Sequence, residues 1–223
     1  MYLFTRTRRA DPAHMRAAVP WAAEVATCVT SETGRPVEVW TAMMSPESGQ
    51  MVWTSWADHV VDIENALDKL RTSLAYTDLI ERGQAFFNGH VADGLWTTVH
   101  GDPSKTSMEY VATVRATARN GKIGAAMTMG VELAKEAQRI TGHETVFSSA
   151  LTGTYGEVSW ATGCNTIDEI ERSNMALAAD PKWMAAVNRP AIASIPEHCS
   201  RSIAVSTDTN RNVGRQRQRE ALP

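Results

Sequence analysis

Cysteine is scarce in this chain: Cys28, Cys164 and Cys199 are the only three in 223 residues. Three scattered thiols suit neither a disulfide framework nor a thiolate zinc site, so the composition reads as that of a protein from a reducing compartment. A surplus of basic charge is also missing. Lys and Arg total 22 against 25 Asp and Glu, for a net charge of −3. A dedicated nucleic-acid binder shows the opposite balance. No apolar run approaches the roughly 18 residues of a membrane-spanning helix. The opening Met1-Tyr2-Leu3-Phe4-Thr5-Arg6 goes straight into a strand-like pattern without an apolar leader, and a soluble cytoplasmic protein is expected. There is no Gly-x-Ser-x-Gly elbow, no phosphate-cradling glycine loop and no nicotinamide or flavin fingerprint, so no cofactor is expected. What the chain does have is 43% hydrophobic residues. That is enough to bury one large core or two cores of about 100 residues each.

An internal repeat organises the chain. Gly49-Gln-Met-Val-Trp53 returns as Gly156-Glu-Val-Ser-Trp160. A constant offset of 107 also pairs Asp58 with Asn165, Ile63 with Ile170, Glu64 with Glu171, Leu70 with Leu177 and Tyr76 with Trp183. Only 6 of the 34 positions from Gly49 to Arg82 are identical. The order of element types agrees far better than the letters. Upstream the offset becomes 108, pairing Glu24 with Glu132 and Thr33-Gly34 with Thr141-Gly142. A single residue lost in the hairpin loop near Ser48 accounts for the change.

Each half reads strand, helix, strand, strand, helix, strand. The opening strands are Tyr2–Arg8 and Met108–Thr117, followed by amphipathic helices over Pro12–Ser31 and Lys122–Ile140. Asp11-Pro12 is a helix start, and Gly34 and Gly142 sit where helices end in the left-handed region. Hairpins follow at Val37–Met43 with Gln50–Ser55 and at Thr145–Leu151 with Glu157–Ala161. Second helices start at Asp58 and Asn165, and closing strands run over Gly94–His100 and Arg201–Ser206. This is the ferredoxin-like unit, twice, over residues 1–104 and 105–207. Val39, Thr41 and Met43 alternate with Glu38, Trp40 and Ala42, so both faces of that strand carry large or apolar groups. A sheet with two such faces needs a second layer. Two four-stranded sheets therefore pack face to face or close into an eight-stranded barrel with helices outside. Residues 208–223 carry Arg211, Arg215, Arg217 and Arg219 and almost nothing apolar, and read as a disordered basic tail.

In this arrangement the chain resembles the dimeric α+β barrel superfamily in tandem form. The Gly-x-x-x-Trp strand, the polar N-cap and the helices ending in Leu74-Ala75-Tyr76 and Asp180-Pro181-Lys182-Trp183-Met184 are similar to NIPSNAP-type and antibiotic-biosynthesis-monooxygenase-type members. The resemblance implies a cofactor-independent oxygenase, or a related isomerase or cyclase, acting on an aromatic or polyketide-like molecule. Haem-using members of the superfamily depend on a proximal histidine, and no histidine here is assigned that place.

Folding needs similar residues in both halves, whereas a site needs only one half, so the differences locate candidate chemistry. Five of the seven Trp lie in the first half. Trp53 is matched by Trp160, which suits core packing, yet it is also a candidate pocket wall with Trp56, Trp40 and Trp96. Trp56 faces Gly163 in the comparison and is the better candidate for stacking on a flat ligand. His59 and His90 are candidate bases, or simply exposed histidines. Arg6 is a candidate anion stabiliser, or the partner of Glu38 on a neighbouring strand. Arg6 and Arg115 both sit in the opening strands of the two halves. His90, Asp93 and His100 are a weak metal alternative whose spacing fits no tight motif. His14, His143 and His198 read as surface residues and Cys28 as a core residue. Cys164 adjoins a helix N-cap, where a thiolate would be stabilised.

Three readings follow. The first is an oxygenase with a hydrophobic small-molecule substrate and one site per chain, in the first half. The second is a non-catalytic NIPSNAP-like binding or assembly module. The third is a haem- or metal-handling protein. Neither a membrane nor a nucleic acid is an expected partner, apart from a contact that the tail would allow, and a homo-oligomer is compatible with all three.

Overall fold

The computed structural model of the chain describes residues 1–46, 49–103, 108–188 and 200–207. The expected tail, Cys199 and His198 lie outside these residues. The first repeat comprises β1 (Tyr2–Ala10), α1 (Met15–Thr33), β2 (Glu38–Met43), β3 (Gln50–Ala57), α2 (Val60–Thr72), α3 (Leu74–Gly83) and β4 (Phe87–His100). The second comprises β5 (Tyr110–Thr117), α4 (Ile123–Thr141), β6 (Thr145–Ala150), β7 (Glu157–Cys164), α5 (Ile167–Ala179), α6 (Pro181–Val187) and β8 (Ser200–Ser206).

The strands close into one antiparallel barrel in the order β1-β3-β2-β8-β5-β7-β6-β4. Each repeat supplies four consecutive staves. The repeats are joined by β2 on β8 and by β4 on β6. The architecture is α+β, with helices outside the ring. No helix among the described residues is long and apolar enough to cross a membrane.

Strand alternation divides the side chains between two environments. Ala10, Val39, Met51 and Trp53 point outward and pack with Trp21, Ala22, Val25, Leu79 and Phe87 of the first repeat. Ala116, Phe147, Val158 and Trp160 do the same beneath α4 in the second. The intervening residues point into the barrel. There the Trp40 indole donates to the Thr54 hydroxyl at 3.0 Å, and the Arg115 guanidinium lies 5.2 Å from the centre of the Trp96 ring.

The matched tryptophans have the same job. Trp53 Nε1 donates to the Ala22 carbonyl at 3.0 Å, and Trp160 Nε1 donates to the Gly130 carbonyl at 2.9 Å. Each locks its sheet to the long helix above it while satisfying a buried indole donor.

Two expectations need correction. The second helices are capped by His59 and Thr166, one residue later than expected. The Asp62 carboxylate accepts the His59 N–H at 3.3 Å, and the Thr166 hydroxyl accepts the Glu169 N–H at 3.2 Å. The closing strand β4 starts at Phe87, seven residues before Gly94. Asn88, Gly89 and Asp93 have low strand propensity, but pairing along the whole of β1 overrides it. A bulge between Thr7 and Arg9 absorbs Gly89, whose φ is +80°. Arg6 and Arg115 are not counterparts. Arg6 stands opposite Trp53, and Val114 stands opposite Trp160. Arg115 is one residue away and so on the other face.

The two cores use different pairs of residues at one place. Where the first repeat has Ala22 on α1 and Val39 on β2, the second has Gly130 on α4 and Phe147 on β6. A Cβ on Gly130 would sit 2.0 Å from the Phe147 ring. Gly130→Ala alone is expected to lower stability by about 1–3 kcal/mol through overpacking. Combining it with Phe147→Val, which recreates the first repeat's pair, is expected to lose less than the sum of the single changes, by about 1 kcal/mol or more. Chemical denaturation of the four proteins checks this. Strict additivity would show that the ring and the glycine are not coupled.

Candidate functional site

Three outward residues of β1 set the chemistry of the first repeat: Phe4, Arg6 and Arg8. Their register partners make the second repeat a comparison. Ala112 and Ala116 take the places of Phe4 and Arg8, and Val114 that of Arg6. Two cations and an aromatic ring therefore sit under the helices on one side of the barrel only.

Above them lies a cleft between the sheet and α1, α2 and α3. Its inner part is a cavity of about 80 Å³ walled by Trp21, Trp53, Ile63, Leu67, Leu70 and Ile80, among others. An outer part of about 430 Å³ adds Arg71, Glu81, Gln84 and Asp93. Arg6, Leu67, Leu70, Tyr76 and Ile80 line both parts. The inner wall is held by indole hydrogen bonds. Trp21 Nε1 donates to the Leu79 carbonyl at 2.8 Å, and its ring rests on Gly83, where a Cβ would come within 2.0 Å of it. Trp21 and Trp53 meet edge to face, with centroids 6.1 Å apart.

Arg6 sits at the junction of the two parts. Its Nε and Nη2 donate to the two carboxylate oxygens of Asp93 at 2.8 and 2.7 Å. Its Nη1 donates to the Tyr76 hydroxyl at 3.2 Å. The hydrogen bonds to Asp93 hold the Arg6 pKa above its already high ordinary value, against the effect of burial. The two side chains are 28% and 43% exposed. A pair so open to solvent contributes about 0–1 kcal/mol, so its main consequence is to fix where Arg6 and Tyr76 stand. Tyr76 is placed in turn by Ser73, whose hydroxyl caps α3 by accepting the Tyr76 N–H at 3.1 Å. Asp180 does the same for Trp183 in the second repeat, at 2.9 Å.

Arg8 is different. Its guanidinium lies 4.4 Å from the centre of the Phe87 ring. Its Nε is buried and has no hydrogen-bond partner among the described residues. Burial pushes its pKa down, and the nearby Arg6 charge adds to this while Tyr76 opposes it. A third cation, Arg35, lines the same cavity, but its Nη2 is paired with Asp62 at 3.0 Å.

The residues expected from sequence fall into three groups. Arg6 and Trp53 line the cleft. Trp40, Trp56 and Trp96 belong to the barrel interior, on the opposite face of the sheet from Trp53. His59 and His90 are exposed, and among the described residues no histidine lines either part of the cleft. His59 caps α2, and His90 lies on β4. The metal alternative also separates. His90 and His100 are ten residues apart on one strand, about 30 Å at strand rise, and the Asp93 carboxylate is occupied by Arg6. Arg6 pairs with Asp93 and not with Glu38. The Cys164 thiol is pushed up to about 11, chiefly by burial and further by Glu169, so its place beside a helix start does not stabilise a thiolate.

Arg8, Tyr76, Trp21 and Arg35 were not singled out from sequence. The signal for Arg8 was there in the alternation: Phe4-x-Arg6-x-Arg8 against Ala112-x-Val114-x-Ala116, read in the register that places Arg6 on Val114.

The chain matches no family model and no curated protein by sequence. Solved structures do match it. A candidate monooxygenase from Fusobacterium nucleatum subsp. nucleatum superposes with a TM-score of 0.69 at 6% identity, covering 93% of this chain and 92% of that one. An anthrone oxidase-like protein gives 0.64 at 12% identity, covering 93% of both chains. A candidate chlorite dismutase gives 0.55 at 9% identity, covering 93% of this chain and 96% of that one. With its closed eight-strand ring and twofold repeat, the chain has the fold of the dimeric α+β barrel superfamily in tandem form.

Proposed function

We propose that the first-repeat cleft binds a flat hydrophobic molecule through an ionisable phenol or enol oxygen, and that the chain is a cofactor-independent oxygenase of that molecule, or a related isomerase or cyclase. The observation that carries this reading is Arg8. A cation with an unpartnered buried Nε, beside an apolar cavity walled by Trp21 and Trp53, lacks only an anion of matching shape. The candidate monooxygenase and the anthrone oxidase-like protein share the fold and make oxidation of such a molecule the natural reaction to test.

In this reading the apolar walls exclude water and hold the ring system. Arg8 favours the ionised oxygen, lowering the phenol pKa in the bound state. Tyr76 receives a hydrogen bond from Arg6, so its own O–H is left to donate to the same ligand oxygen. The resulting electron-rich carbon then meets dioxygen in a dry site. Asp93 is a carboxylate on the cleft wall and keeps Arg6 aligned.

A second reading rests on a specific observation as well. With His59 and His90 exposed and no histidine in the cleft among the described residues, the obvious general base is missing there. The cleft would then bind the same anion without turning it over, as the non-catalytic alternative requires.

Two measurements check these statements. Titrating a hydroxylated anthrone into the protein near pH 7 is expected to give the phenolate absorption on binding. Arg8→Met is expected to weaken binding by about 10- to 100-fold, the range for a hydrogen bond to a charged group. The same substitution is expected to leave thermal stability nearly unchanged, because it removes a half-buried guanidinium whose Nε lacks a hydrogen-bond partner among the described residues while losing its contact with the Phe87 ring. Unchanged affinity would sink the anion site. Oxygen uptake with that compound, lowered by Tyr76→Phe and Asp93→Asn, is the expected mark of an oxygenase. Binding without uptake would select the second reading.

A further inference from the structure

We infer that His143, Cys164 and Glu169 form a site for a divalent d-block cation, zinc in the first place, on the second repeat. This site is independent of the cleft. One ring nitrogen of His143, the Cys164 sulfur and one carboxylate oxygen of Glu169 all lie within 4.8 Å of one another. Three separate elements deliver them. His143 follows Gly142, which ends α4 in the left-handed conformation at φ 74°. Cys164 is the last residue of β7. Glu169 is in the first turn of α5.

The surroundings hold these groups in place. Cys164 is 2% exposed, whereas His143 and Glu169 are half-buried and open the fourth direction to solvent. One Glu169 oxygen accepts the Asn165 N–H at 2.7 Å, which orients the carboxylate. The His143 N–H donates to the Thr141 hydroxyl at 3.2 Å, which sets the start of the loop that carries the imidazole.

The first repeat shows what the fold needs at this place. The equivalent residues are Arg35, Ala57 and Asp62, and Arg35 pairs with Asp62 at 3.0 Å. There the chain supplies its own cation and puts no donor on the strand. The second repeat has an imidazole in place of the guanidinium and a thiol in place of the methyl group, and it keeps the carboxylate. Nitrogen, sulfur and oxygen together make a borderline set that suits zinc. Bonds of about 2.0–2.3 Å would require the three donors to close by roughly 1 Å, within the reach of side-chain rotation. With water as a fourth ligand the site would clip α4, α5 and β7 together, tightening the second repeat when the metal is present.

Cobalt(II) titration of the reduced full chain tests this. The expected result is one equivalent bound, with a thiolate-to-cobalt band in the near ultraviolet and intense visible bands of tetrahedral cobalt. Zinc is expected to displace both. His143→Arg combined with Cys164→Ala installs the first repeat's own solution, and it is expected to fold and to lose the bands. Cys164→Ala alone is measured beside it, with circular dichroism as the folding check. Cys28→Ser is expected to leave the bands unchanged. A missing thiolate band at one equivalent would overturn the proposal. So would a band that survives in folded Cys164→Ala protein, because another thiol would then be the ligand.

Discussion

Closing eight strands into a ring gives every strand two buried faces, and the rest of this structure follows from that constraint. Side chains alternate across a strand, so neighbouring residues serve different cores. On β1, Phe4, Arg6 and Arg8 lie under the helices, while Leu3, Thr5 and Thr7 face the barrel. On β3, Met51 and Trp53 lie under α1, while Val52, Thr54 and Trp56 face inward. A cleft on the helix side and a packed interior are thus written into the same short segments, one residue out of phase. The halves depend on each other because β2 finds its outer partner in β8 and β4 finds its partner in β6. Neither repeat could hide its inner face alone.

The fold was legible because it is set by long-range periodicity that appears twice. A hairpin or helix start recurring at offsets of 107 and 108 survives the loss of nearly every identical letter. Glycines at helix ends and apolar alternation are local and additive signals. The ends of elements were less legible where tertiary pairing overrides propensity, as in the Asn88–Asp93 part of β4. The site was less legible still, for a geometric reason. An alignment only one residue off puts a side chain on the wrong face of a strand. Arg6 and Arg115 both lie on opening strands, but Val114 is the residue equivalent to Arg6, and Arg115 serves the other face. Richness in tryptophan was likewise informative about the first repeat without saying which face each ring serves. Trp53 went to the cleft, and Trp40, Trp56 and Trp96 to the interior. Tyr76 could not be ranked from sequence because its value comes from Arg6 and Ser73, respectively 70 and 3 residues away.

The second repeat acts as an internal control for the first. It shows that this unit folds with Ala112, Val114 and Ala116 on the helix-facing side of its opening strand. In the first repeat the same place holds an apolar cavity of about 80 Å³ that opens into the outer cleft, and a buried Arg8 Nε that has no hydrogen-bond partner among the described residues and lies beside the Phe87 ring. Ala116 and Phe147 show that the same backbone accommodates a filled, uncharged version. The fold itself therefore does not require Arg8 or the cavity.

The same comparison separates positioning from stabilisation in the ionic groups. Arg35 with Asp62, and Arg6 with Asp93, are both close pairs in the first repeat. The Arg35 pair ties the residue after α1 to the first turn of α2, at the place where the second repeat has His143 and Glu169. A carboxylate in the first turn of the second helix is thus kept in both halves, whereas the group that faces it differs. The Arg6 pair has no such counterpart, since Val114 and Arg201 occupy its place. Its exposure keeps its net contribution small. A contact that is dispensable to the fold, worth little in stability and held in bidentate geometry has its main effect on direction. It holds one guanidinium at the cleft wall, turns its Nη1 toward Tyr76, and leaves the Arg8 Nε without a hydrogen-bond partner among the described residues.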